Sequence, residues 1–283
     1  MFEGVYLSSD RGTKLEGEGI QLTAEKETLL ATLWARAMDS RQKKAILADT
    51  SAYDVLRRIN YDFDRVRVTL GDRFGIVVRA KQLDRWVSNF IAANPLATVV
   101  HLGCGLDNRV GRVNPPSEIG WYEIDYPEVI DLRNRFYPDW DGCRTIASSV
   151  TEWGWMDKVT TGGPFLIVAE GLTMYLAQDD MKQLLDRVVG RFSSGEVVFD
   201  ALSTRALGAR KRYLRITGAK LRWGIDDPHE IEVWNPRLRL IEELPLVGAP
   251  DIARLPWPSR IMCGWMNRLA FTRNLIRLFR YRF

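Results

Sequence analysis

Thr98-Val-Val-His-Leu-Gly-Cys-Gly-Leu-Asp-Asn-Arg109, with Trp121-Tyr-Glu-Ile-Asp125 following it, is the stretch whose reading decides the fold. Val99, Val100 and Leu102 form a short apolar run that stops at Gly103-Cys104-Gly105. A buried parallel strand that turns sharply into a helix has this pattern. Glycines at the turn let the backbone bend tightly and let a ligand approach with no Cβ in the way. A second apolar run (Trp121, Tyr122, Ile124) ends at Asp125, which places a carboxylate at the end of the neighbouring strand. In open α/β sheets an acid there accepts hydrogen bonds from ribose hydroxyls.

The same residues limit which nucleotide fits. A dinucleotide fingerprint calls for Gly-x-Gly-x-x-Gly, but here the sixth position is Asn108 and the next glycine is Gly111. No Gly-Lys-Ser/Thr phosphate cradle occurs. What remains is a nucleoside site without a pyrophosphate grip. S-adenosylmethionine, an adenosine without phosphates, fits it better than NAD does. The structural alternative is a strand–turn–helix with no ligand at all.

Composition sets outer bounds. The chain has 283 residues, of which 46% are hydrophobic and 27% charged, enough for a sizeable core. A net charge of +4 is too mild for a dedicated nucleic-acid binder but admits an acidic substrate. Cys104, Cys143 and Cys263 lie far apart, without disulfide or zinc spacing, which favours a reduced, cytoplasmic setting. No run approaches the ~18 apolar residues of a membrane span, and no signal peptide is visible.

Along the chain, residues 1–22 read as a loosely held arm. Helices are expected from Thr23 to Met38, Gln42 to Ala48, Ala52 to Ile59 and Arg79 to Ile91. After Asp125 the pattern alternates: a helix from Pro127, a strand at Arg144–Ala147 and a short helix at Trp153–Val159. The strongest strand, Phe165–Ala169, ends at Glu170. A helix at Asp179–Phe192, a strand at Glu196–Leu202 and basic helical residues at 204–216 follow. Trp223–Pro236 reads as a loop and Leu238–Leu244 as a strand. The end reads as a helix to about Arg273 and a closing strand at Phe279–Phe283; its arginine and aromatic mixture reads as a solvated outer face more readily than as a membrane surface.

The residues along this pattern carry a resemblance. Glu27-Thr28-Leu29-Leu30 with Ala35-Arg36-Ala37, Tyr61-Asp62-Phe63, Val100–Arg109, Trp121–Arg133, Ala147–Met156, Ala169–Leu176 and Trp223–Asp227 come in the order and spacing of one family. The chain resembles the bacterial S-adenosylmethionine-dependent O-methyltransferases of polyketide biosynthesis, the tetracenomycin-type branch of the leucine carboxyl methyltransferases. Residues 1–20 and 245–283 match poorly. The resemblance implies an α/β fold, a Rossmann-like class I methyltransferase with a seven-stranded, mostly parallel sheet and an N-terminal helical cap. It divides the chain into a cap at 1–94 and a core at 95–283, with a cap-like insertion around 204–236.

It also implies roles for residues. Gly103 and Gly105 would lie against the methionine end of S-adenosylmethionine, Asp125 would hold the ribose, and Glu170 would face the same cavity. Arg79 stands where the family has an arginine for the methionine carboxylate, although Val78-Arg79-Ala80-Lys81 lacks the usual arginine run. Ser149 and Val150 stand at the adenine position, where more distant relatives have Asp-Leu. Tyr175 is a candidate to line the acceptor pocket.

The chemistry adds one more expectation. A carboxylate acceptor is ionised at neutral pH and needs no base, whereas a phenol does. Of the two histidines, His101 lies inside a strand and reads as a core residue, while the sequence does not set the reach of His229. That scarcity, with many arginines, leans toward a carboxylate, and Arg36 is the first candidate to hold it. The expected partner is a small-molecule acid or phenol, with no nucleic acid, no membrane and no metal; a homodimer stays open. A hydroxyl-directed enzyme, a non-catalytic S-adenosylmethionine-binding protein and an NAD-dependent dehydrogenase are the competing readings.

Overall fold

In this computed structural model the described residues are 18–19, 28–63, 68–160, 162–213 and 220–283. The expected N-terminal arm apart from Glu18 and Gly19, the first turn of the expected first helix and residues 214–216 of the basic helix lie outside them.

A short parallel pair joins β1 (Glu18–Gly19) to β2 (Ile59–Asn60). Every other strand among the described residues belongs to one sheet: β3 (Thr98–Leu102), β4 (Gly120–Asp125), β5 (Cys143–Ala147), β6 (Phe165–Ala169), β7 (Gly195–Leu202), β8 (Arg239–Pro245) and β9 (Ile276–Arg282). Their order is β5-β4-β3-β6-β7-β9-β8, and only β9 runs antiparallel to its neighbours. The seven-stranded, mostly parallel α/β sheet read from the sequence is therefore present.

Side-chain alternation explains why β6 is apolar throughout and β3 is apolar apart from Thr98 and His101. Val100, Leu102, Phe165, Ile167 and Ala169 join one core, with Leu184 and Val188 of α6 (Gln178–Arg191). Val99, Leu166 and Val168 join the other, with Val77, Leu83 and Val87 of α3 (Leu70–Ala93). A strand buried on both faces cannot alternate with polar residues.

Two further helices pack with α5 (Pro127–Phe136) beside the glycine turn. α1 (Thr28–Ser40) and α2 (Thr50–Arg58) share a separate apolar cluster with Leu106 and with Leu132 and Phe136 of α5. α3 starts at Leu70, nine residues before the expected start, because Thr69 caps it by accepting the Asp72 N–H at 3.1 Å. The expected helix at Gln42–Ala48 is absent. There the buried Asp39 carboxylate accepts the N–H groups of Ile46, Leu47 and Ala48 at 2.9–3.1 Å, and Ala48 takes φ 60°. A side chain that offers the backbone this alternative overrides modest helix propensity. The remaining helices are α4 (Arg109–Val113), α7 (Thr204–Tyr213), α8 (Glu230–Trp234), α9 (Trp257–Arg268) and α10 (Ala270–Arg273). The closing strand begins at Ile276, three residues before the expected alternation.

Candidate active site

The strand order reverses between β3 and β6, and ligands of open α/β sheets bind outside the carboxyl ends at such a point. A cavity of about 850 Å³ opens there. Gly103–Asp107 after β3, Asp125 and Tyr126 after β4, Ser148–Thr151 after β5 and Glu170–Leu172 after β6 form its floor. α1 contributes Thr28, Thr32 and Arg36 to the wall, and α3 contributes Arg79. The structure thus brings all nine predicted residues (Arg36, Arg79, Gly103, Gly105, Asp125, Ser149, Val150, Glu170 and Tyr175) to one cavity wall.

The glycine turn is built as the sequence suggested. Gly103 and Gly105 have φ +62° and +52°, a region costly to L side chains. A Cβ on Gly103 would stand 3.1 Å from Leu172. Asp125 fastens this turn to β4: one carboxylate oxygen accepts the Gly105 N–H at 2.7 Å and the other accepts the Tyr126 N–H at 2.8 Å. Burial raises its pKa, and these two amides only partly offset that.

Sequence reasoning missed the arginine–carboxylate network beneath the turn. Arg109, the first residue of α4, is fully buried. Its Nε donates to Asp84 at 2.8 Å, its Nη1 lies 3.1 Å from His101 Nε2, and its Nη2 donates to Glu170. Burial alone would push this guanidinium down, but Asp107, Glu170 and Asp84 hold it above its ordinary value. Arg112, one helical turn on, binds Asp84, Asp49 and Asp107. Burial would raise the Asp107 carboxyl, but Arg112, Arg36 and Arg109 outweigh it and hold the group well below the usual range. Glu170 is shared, since Arg79 Nε also donates to it at 3.0 Å. Arg79 Nη1 donates to Asp200 of β7 at 2.8 Å, and Asp200 accepts the Gly171 N–H at 2.6 Å. One clamp therefore ties α3, β6 and β7 together below the cavity.

The other predicted residues are placed as follows. Arg36 is buried and donates from Nη2 to Leu106 O at 2.9 Å, while its Nε has no hydrogen-bond partner. Ser149 lies 2.9 Å from the Thr151 hydroxyl, and Val150 is buried in the core beside it. The Tyr175 hydroxyl lies 3.4 Å from Thr28 Oγ1. His101 borders the cavity but is buried, as expected of a core histidine, and burial and then Arg109 push its pKa down. His229 is exposed, 2.6 Å from Glu232, and is not part of the cavity wall.

Away from the glycine turn the wall becomes apolar, with Met174, Leu221, Met262, Met266 and Leu275. Lys220, Arg222 and Arg273 edge this half, and all three are exposed. None of these was singled out in the sequence, because α9 and residues 220–222 meet only in the fold. Among the described residues no cluster of histidine, cysteine or carboxylate side chains is arranged to hold a metal ion.

S-adenosylmethionine fits this site on three observations. The floor has glycines where backbone must approach a ligand. A carboxylate ends β4. At the same end, Arg36 Nε is buried without a hydrogen-bond partner, 3.7 and 3.9 Å from the Asp49 and Asp107 carboxylates.

Comparison with known proteins agrees. The leucine carboxyl methyltransferase family pattern matches residues 29–138. The chain is 42% identical to the tetracenomycin polyketide synthesis O-methyltransferase TcmP of Streptomyces glaucescens, over 94% of this chain and all of that one. It is 32% identical to the S-adenosyl-L-methionine-dependent methyltransferase dpfgK of Gibberella zeae, over 92% of this chain and 94% of that one. Among solved structures it is similar to the N-methyltransferase NodS of Bradyrhizobium japonicum WM9 in complex with S-adenosyl-l-homocysteine, at 13% identity and a TM-score of 0.48, covering 89% of this chain and 97% of that one. With the full length of a 42% identical relative covered, the chain belongs to the leucine carboxyl methyltransferase family, on its tetracenomycin-type branch, and is an S-adenosylmethionine-dependent O-methyltransferase.

Proposed function

We propose that the enzyme methylates a carboxylate of a small polyketide-derived acid by direct in-line transfer. One observation carries this reading: neither histidine is placed to act as a base. His101 borders the cavity but is 1% exposed, with its Nε2 held 3.1 Å from the Arg109 guanidinium, and His229 stands outside the cavity wall. The carboxylates at the glycine-turn end are also committed, Asp107 and Glu170 to arginines and Asp125 to backbone N–H groups. An acceptor that arrives already ionised needs no base, and exposed Lys220, Arg222 and Arg273 suit an anionic guest. The polyketide class is suggested by the name of the 42% identical relative.

S-adenosylmethionine, when bound, supplies a methyl group on a sulfonium. Asp125 would accept its ribose hydroxyls, Ser149 and Val150 would flank its adenine, and Gly103 and Gly105 would back its methionine end. Glu170 and Arg79 would face that end's charged groups. Arg36, whose Nε makes no hydrogen bond, and Tyr175 are the proposed acceptor contacts. The protein's work is then positioning and water exclusion, which alone can supply a large part of a displacement barrier.

The pH profile tests the acceptor. With a carboxylate acceptor, kcat/KM should stay flat from neutral pH upward, because a carboxylate of pKa about 4 is fully ionised there. A phenol acceptor would give a rate rising about tenfold per pH unit until its own pKa. The product should be a base-labile methyl ester, and His229→Ala should keep full activity. A base-stable methyl ether would overturn the carboxylate assignment. Arg222→Ala is expected to raise KM about tenfold, the worth of one charge-assisted hydrogen bond, and to leave kcat nearly unchanged.

A further inference from the structure

Helix α9 is held to the rest of the molecule by very little. Cys263 is its only buried residue, and Ser259, Met262, Cys263 and Met266 line the cavity. Elsewhere on the helix Trp257, Ile261 and Trp265 recur every fourth residue and are 69%, 53% and 62% exposed. That spacing stacks them into one stripe. Leu269 and Phe271 continue it onto α10, each at least half exposed. A contiguous apolar face of this kind marks an interaction site, whereas single exposed leucines do not.

Charge narrows what covers it. From Ile252 to Phe283 the chain has seven arginines and no aspartate or glutamate. Arg268 lies over the Trp265 ring at 5.5 Å and Arg205 over the Phe271 ring at 4.8 Å, so cations are interleaved with the apolar band. Exposed Lys220, Arg222 and Arg273 edge the adjoining cavity. A second copy docking through this face would set arginines against arginines, since a twofold interface pairs a patch with itself. The occupant must therefore be anionic as well as apolar. Trp257 and Ile261 also edge an open cleft beside Pro250 and Ile252, and Arg260 stands in its wall, so the basic and apolar groups share one surface there. Basic helices that carry tryptophan and leucine in this way settle into the headgroup layer of a membrane.

We propose that α9 and α10 seat the enzyme peripherally on an anionic lipid surface, beside the acceptor end of the cavity. The contact is superficial: no described helix is long and apolar enough to cross a membrane. It holds for an acid or a phenol acceptor alike, so it stands apart from the choice of acceptor.

The test is flotation of the full chain with phosphatidylcholine vesicles, with and without phosphatidylglycerol. Binding is expected only when phosphatidylglycerol is present. It should fall at least about tenfold in the Trp257→Ala/Trp265→Ala pair and in the Arg260→Glu/Arg268→Glu pair, since each basic residue near an anionic surface adds measurably to binding. None of these four residues lines the cavity, so calorimetric S-adenosylhomocysteine affinity should not change. Brominated acyl chains should quench the fluorescence of the parent protein more than that of the tryptophan pair. Absence of flotation on the anionic vesicles, or flotation that survives both pairs, overturns the proposal. Self-association abolished by the tryptophan pair, with no lipid binding, also overturns it and makes the face a protein–protein contact.

Discussion

Exchanging Arg109 for methionine should cost the fold about 3–5 kcal/mol, because removing one partner of a buried ion pair leaves the other charge uncompensated. The expected loss is large because Arg109 touches Asp84, Asp107, Glu170 and His101 at once and is fully buried. Arg109→Lys keeps the charge but loses the planar fork that reaches Asp84 and Glu170 together, so an intermediate cost is expected. Urea denaturation of the three proteins measures this. A loss under about 1 kcal/mol would mean that the network is no more than a surface-like ion pair. The variant should also bind S-adenosylmethionine more weakly, because Glu170 would be positioned by Arg79 alone.

Asp125→Ala should weaken S-adenosylmethionine binding by roughly 10- to 150-fold, as removal of a hydrogen bond to a charged group costs about 1.5–3 kcal/mol. Two losses combine here. The ribose loses its acceptor, and the Gly105 N–H loses the carboxylate that holds the turn at its positive φ. Asn is not a mild substitute: both oxygens of Asp125 accept backbone N–H groups, so an amide would point its NH₂ at one of them. Burial raises the Asp125 pKa, so its proton returns at a higher pH than for a free aspartate. Cofactor affinity, which needs the anion, should therefore begin to fall on acidification earlier than an exposed carboxylate would dictate. Isothermal titration at descending pH reads both effects; an Asp125→Ala protein that binds like the parent would remove Asp125 from the site.

Much of this molecule was legible in one dimension because its deciding strands are buried on both faces. Phe165–Ala169 is apolar throughout and Val99–Leu102 is interrupted by His101 alone, and glycines or acids end each run. The site residues were legible for a related reason. Gly103, Gly105, Asp125 and Glu170 each lie at a strand end or within three residues of one, so strand placement alone carried them to one edge of the sheet.

What stayed hidden depends on distance along the chain. Arg109 and Arg112 look like ordinary helix charges, and only folding brings Asp84 from α3 and Asp49 from the α1–α2 connection to meet them. The residues 42–48 read as helix because their propensities suit one; Asp39, several residues upstream, captures their N–H groups instead. Thr69 and Asp72 did carry a visible start signal for α3, a hydroxyl three residues before an acid, and it lay outside the apolar periodicity that set the expected boundary.

The place of β9 in the sheet also sets an order of assembly. β8 is made first, yet its only strand neighbour is β9, which slots between it and β7. During synthesis β8 has nothing to pair with, and the outer edge of β7 stays open until β9 emerges. Such late, non-local closure leaves an exposed edge on the nascent chain. Ribosome stalling between Pro245 and Ile276 would therefore yield chains with a preformed nucleoside-binding half and a sticky margin, natural clients for a chaperone.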